Sequence, residues 1–123
     1  MRKHPAVDAL QKASRGLSMP SESDAPFEVC LWDGGGDLTG DRLLQLAHQP
    51  TGTAVEEDTL EGLFRTVPAE DRGPFQKLQQ VIQQQLSGVR VFRVGDEAEK
   101  VVYIVGQTRD GNLAGLKTSV VET

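Results

Sequence analysis

The chain is poor in cysteine, in positive charge and in long apolar runs, and each shortage removes a class of function. Cys30 is the single cysteine among 123 residues, so neither an internal disulfide nor a cysteine-based zinc cluster can form, and nothing signals an oxidising compartment. Lysine and arginine total 13 against 18 aspartates and glutamates, for a net charge of −5. With an isoelectric point near 5.0 the whole molecule lacks the basic footprint that neutralises phosphates, and direct binding of DNA or RNA is not expected. No stretch approaches the ~18 to 20 apolar residues that cross a bilayer, and no apolar run follows the basic residues Arg2 and Lys3. No membrane contact is expected, and cytoplasm is the expected address. Internal repeats and low-complexity tracts are missing too. What remains is one soluble domain, residues 1–123, of a size that buries roughly two-thirds of its unfolded surface around one core.

The mean charge hides an uneven distribution. Residues 21–71 hold twelve acids and only two bases, Arg42 and Arg65, a local charge of −10, while the rest of the chain carries +5. Two readings stand side by side. Such a field keeps a protein soluble without steering anything, or it forms an acidic face that meets a basic partner.

Hydropathy patterning supplies the elements. Val7, Leu10 and Leu17 fall at roughly helical spacing, which predicts a helix over residues 7–15 with Gly16 ending it. A Ser- and Pro-rich stretch, 18–26, reads as a loop, and 27–32 as a strand. Thr39 is a candidate N-cap for a helix holding Leu43, Leu44, Leu46 and Ala47. Asp58 with Glu61 has capping-box spacing before a short helix through Leu60, Leu63 and Phe64. After a polar connector, 68–74, Phe75, Leu78, Val81, Ile82 and Leu86 share one face of the clearest helix. Strands follow at 89–94 and 101–105, the latter five apolar residues in a row and so covered on both faces. Asp110-Gly111 predicts a tight hairpin into a last strand over 113–121. Helices that fill the first two-thirds and cover a mainly antiparallel sheet define an α+β fold.

No catalytic constellation emerges, and a non-enzymatic protein without cofactor is expected. His4 and His48 have no metal or triad spacing and are read as surface histidines. Cys30 is read as a buried structural thiol, since no nearby base or helix N-terminus lowers its pKa. Gly34-Gly35-Gly36 lacks both phosphate-loop patterns and is read as a turn. Trp32 is an anchor either of the core or of an interface. Thr123 carries a hydroxyl and an α-carboxylate a few bonds apart, the oxygen donors that Mg²⁺ prefers, or it is an ordinary solvated terminus.

Three blocks stand out: Met19-Pro20-Ser21-Glu22-Ser23-Asp24-Ala25-Pro26-Phe27-Glu28-Val29 running into Leu31-Trp32, then Phe75-Gln76-Lys77-Leu78 with Val81-Ile82, and Gly106-Gln107-Thr108 through Gly111-Asn112-Leu113-Ala114-Gly115-Leu116 to Val120-Val121-Glu122-Thr123. Together they resemble the nuclease A inhibitor family of bacterial proteins. The resemblance implies an α/β/α sandwich similar to the pathogenesis-related plant proteins. It also implies a one-to-one complex with a sugar-nonspecific DNA/RNA endonuclease of the ββα-metal type, whose active site the inhibitor blocks. By the same resemblance Thr123 would approach the nuclease's Mg²⁺, and Glu22, in its Ser-Glu-Ser setting, would engage basic groups on the enzyme. Ser21, Asp24 and Glu70 complete the expected contact set. A nuclease presents Lys and Arg to nucleic acid, so an acidic loop around Glu22 is drawn to the same surface.

The connector 68–74 departs from the family, in which it is longer and carries an acid followed by tryptophan. Here Glu70 is the candidate for the acid and the aromatic is missing. Such anchors are often worth ~2 kcal/mol or more, which keeps a second reading open: an interaction module of the same fold that binds another basic protein. The free chain is expected to be a monomer, because no apolar stripe is left over once the core is assigned.

Overall fold

An apolar run that needs cover on both faces belongs in the middle of a sheet, and residues 101–105 lie there. The computed structural model describes residues 5–15, 18–19, 25–32, 39–47, 52–65, 72–95, 99–109 and 111–121. In chain order these form α1 (Pro5–Ser14), β1 (Ser18–Met19), β2 (Ala25–Pro26), β3 (Glu28–Trp32), α2 (Gly40–Leu46), β4 (Val55–Asp58), α3 (Leu60–Phe64), α4 (Arg72–Gln85), β5 (Ser87–Val94), β6 (Glu99–Gln107) and β7 (Leu113–Val121). Five strands make one sheet in the order β3-β7-β6-β5-β4, every neighbouring pair antiparallel. The fold is α+β, as expected.

Alternation along the strands sends side chains to two apolar clusters. Val102 and Ile104 of β6 join Val91, Ala114, Leu116 and Val120 beneath α1, α3 and α4. Tyr103 and Val105 join Phe92, Val94 and Leu113 around Leu43 and Leu44 of α2. On α4 the predicted period holds: Phe75, Leu78 and Ile82 are buried, while Gln76, Lys77, Gln80, Gln83 and Gln84 stay exposed. Each such apolar side chain contributes ~1.5–3 kcal/mol when fully buried. Thr39 caps α2 as expected, its side chain accepting from the Arg42 N–H. Gly115 sits where β7 passes close to β6, and a Cβ there would collide with the Ile104 carbonyl oxygen.

Several local expectations need correcting. The stretch 18–26 contains a paired hairpin, with Ser18 opposite Pro26 and Met19 opposite Ala25. The cap of α3 is Thr59, whose hydroxyl oxygen accepts from the Gly62 N–H. Asp58 lies one residue too early for that role and ends β4 instead. α4 begins at Arg72, inside the expected connector, because proline is tolerated in a first helical turn and Pro74 sits there. The hairpin before β7 is one residue longer than a two-residue turn. The Thr108 N–H donates to the Asn112 carbonyl and the Gly111 N–H to the Thr108 carbonyl, with Gly111 at φ +85° in the left-handed position of a three-residue loop. Cys30 is half-buried, and burial pushes its thiol pKa up, offset in part by the nearby Lys117 ammonium. The expectations on His4, His48 and the glycines 34–36 fall outside the described residues.

Candidate partner-binding end of the sheet

The residues expected to touch a partner, Ser21, Glu22, Asp24, Glu70 and Thr123, all lie outside the described residues. Their flanks are described, and the sheet brings those flanks together. β7 finishes at Val121 opposite Glu99 of β6. β3 starts level with Lys117 of β7, and the β1–β2 hairpin packs on β7 as well. Because β3 runs antiparallel to β7, the chain arrives at β3 from the end of the sheet at which β7 finishes. Met19 and Ala25, the described residues on either side of 20–24, therefore lie toward the same end as Val121.

The ends of α3 and α4 on either side of 66–71 lie there too. α4 feeds β5 at Ser87, which is level with Gln107 at the opposite end of the sheet. Its 14 residues rise about 21 Å, so its first turn lies back toward the end where β7 stops. Aromatic packing fixes that placement. Phe27, just past β2, meets Phe75 of α4 edge-on with ring centroids 6.1 Å apart, and Phe75 meets Phe64 of α3 at 5.4 Å. Edge-to-face pairs add ~0.5–1.5 kcal/mol beyond the area they bury. The three rings thus tie the segment after residues 20–24 to both flanks of the connector, and Val120 of β7 belongs to the same cluster. The sequence puts Phe27, Phe64 and Phe75 in three separate elements; nothing in their spacing says that they touch. Beside them an open groove of about 370 Å³ runs between α3 and α4, with Arg65 and Arg72 at its rim.

The acidic middle divides when folded. Three of its twelve acids lie on β4 and meet bases from β5 and β6. Asp58 Oδ2 accepts from Arg93 Nη2 at 3.0 Å, Glu57 pairs with Arg90 at 3.4 Å, and Lys100 stands 3.8 Å from Glu56. Asp58 also accepts from the Thr59 N–H at 2.7 Å, so one carboxylate joins the sheet edge to the start of α3. These acids are therefore locally compensated, and they sit on the strand farthest from β3. Trp32 answers its open question toward the core, packing against the α2 cluster with its ring 6.5 Å from Tyr103. Among the described residues no group of three His, Cys, Asp or Glu could hold a metal ion, and no helix is long and apolar enough to cross a membrane.

A family model described as nuclease A inhibitor-like protein matches residues 4–123, nearly the whole chain. No individually curated protein matches it significantly.

Proposed function

The chain belongs to the nuclease A inhibitor-like family, and from that premise we propose that it binds one molecule of a sugar-nonspecific, metal-dependent endonuclease of the ββα-metal type and blocks its active site. Membership implies the inhibitory role, a nuclease partner and a non-enzymatic protein. The observation that supports the finer reading is that Met19, Ala25, Phe64, Phe75 and Val121, which flank the segments carrying Glu22, Glu70 and Thr123, lie toward one end of the sheet. Flanks gathered at one end are what a surface that covers an active-site cleft demands.

In this reading Glu22, flanked by Ser21 and Asp24, meets the lysines and arginines that otherwise hold nucleic acid. Glu70 extends that acidic contact from the connector. Thr123 turns its hydroxyl and carboxylate oxygens toward the nuclease's Mg²⁺, in the place of the oxygens of a scissile phosphate. The acids of β4, already paired with Arg90, Arg93 and Lys100, are left to the sheet. Helices on both faces of the antiparallel sheet support the α/β/α sandwich of the family, similar to the pathogenesis-related plant proteins, and we place the protein in the bacterial cytoplasm.

The test is a titration into several such nucleases degrading plasmid DNA. Activity should fall to near zero at one equivalent. Undiminished cleavage at tenfold excess across all of them would sink the proposal. Capture of a basic protein that is not a nuclease would favour the interaction-module reading instead, for which the missing connector aromatic is the motive.

A further inference from the structure

The two borders of the sheet are finished differently. β4 carries Glu56, Glu57 and Asp58 in four residues, a charged edge of the kind that discourages another strand from adding on. β3 carries one charge, Glu28, in five residues. Leu31, on the same strand, is 42% exposed and the one large apolar side chain so exposed among the described residues. β3 follows β7 through five consecutive pairs, and among the described residues no strand lies on its outer side. An unbroken extended edge with outward backbone N–H and C=O groups is a template for one more strand.

The side chains say which strand fits. If β3 is laid antiparallel on a second β3 about Cys30, Glu28 falls opposite Trp32 of the other copy, Val29 opposite Leu31, and Cys30 opposite its equivalent. No like charges meet, and the exposed leucine gains an apolar neighbour directly across the ladder, where such pairs stabilise sheets. A shift of two residues loses two of the five pairs. We propose that β3 is a self-association edge, through which two copies of this chain join their five-stranded sheets with twofold symmetry. A seam one short strand long buries less than the ~1,200 Å² typical of stable interfaces, so the dimer is weak and forms at high concentration. This inference departs from the expectation of a monomer, which rested on no apolar stripe being left over once the core is assigned, and it is independent of nuclease binding.

The experiment is sedimentation equilibrium of the full chain from ~10 μM to ~1 mM, a range that spans weak association, with amide exchange recorded on the same samples. The average mass should climb toward that of a dimer, with exchange slowing at β3 and not at β4. Leu31→Lys, at an exposed position, should hold the mass at the monomer value at every concentration while the melting curve stays put. A bis-maleimide should join Cys30 to Cys30 in the concentrated wild type and leave Leu31→Lys uncoupled. Monomeric mass throughout, a dimer that survives Leu31→Lys, or protection confined to β4 would each overturn the proposal. So would protection of β3 that appears only when nuclease is added, which assigns the edge to the enzyme.

Discussion

Among the described residues three helices shelter one face of the sheet and one helix the other. Among the described residues the first cluster holds fourteen buried apolar side chains and the second seven. Beneath α1, α3 and α4 the core reaches to Phe27, Phe64, Phe75 and Val120, the neighbours of every segment proposed to touch the nuclease. Beneath α2 it holds Leu43, Leu44, Phe92 and Tyr103, none of which adjoins those segments. Both faces stabilise the fold, but only the first adjoins the proposed docking end. A difference of this kind predicts that equal losses of stability on the two faces will have unequal functional consequences.

The largest effect should come from Phe75→Ala. Emptying this site costs ~3–5 kcal/mol and removes both ring contacts at once, so denaturant unfolding should shift sharply and the folded fraction should inhibit nuclease less well. Leu43→Ala on the opposite face should cost about 3 kcal/mol, yet inhibition per folded molecule should match the wild type. Equal inhibition losses in the two variants would erase the distinction between the faces. Thr59→Ala, which removes the α3 cap, should cost ~1 kcal/mol in chemical denaturation; α3 borders the connector, so a small loss of inhibition should accompany it. Glu22→Ala and deletion of Thr123 should leave stability within ~0.5 kcal/mol of the wild type while raising the concentration needed for half-inhibition. Wild-type potency in both would remove these residues from the contact.

The smallest effect concerns Cys30. Burial raises its thiol pKa, so alkylation by iodoacetamide should reach half its maximal rate at a higher pH than for free cysteine, and a midpoint at or below the free value would contradict the half-buried placement. The same shift links to stability. A raised folded-state pKa favours the protonated thiol, so its contribution is complete below the unfolded thiol's pKa and is lost as pH rises through the folded one.

Much of this architecture was legible from hydropathy period alone. The run 101–105 announced a strand covered on both faces, and Phe75, Leu78 and Ile82 announced the buried stripe of α4, because burial there is dictated by local pattern. β4 was not legible. Val55-Glu56-Glu57-Asp58 is a poor strand by composition, and its acids are compensated by Arg90, Arg93 and Lys100, which lie some thirty-five or more positions away in the chain for two of the three pairs. The α3 cap was missed by one residue because Asp58 and Thr59 are both good caps; the hydrogen bond to the Gly62 N–H selects the threonine. For the docking end the limit was different. Glu22, Glu70 and Thr123 were named from resemblance to a family, and no spacing in the sequence relates them. The shared placement of their flanks, Met19, Ala25, Phe64, Phe75 and Val121, arises from the antiparallel order of β3 and β7 and from the packing of α4, both of them tertiary facts.

The place of β7 in the sheet has a bearing on how the chain is made. β7 lies between β3 and β6, with Cys30 paired to Gly115, so an early strand waits for the last one before it has any ladder at all. On a ribosome β3 emerges long before its partner, and β4, β5 and β6 can pair while it stays bare. Closing so long a stretch of chain is entropically costly and slows folding. The ladder between β3 and β7 is therefore assembled late, and half-synthesised chains present β3 with both borders open, the state most exposed to misassembly.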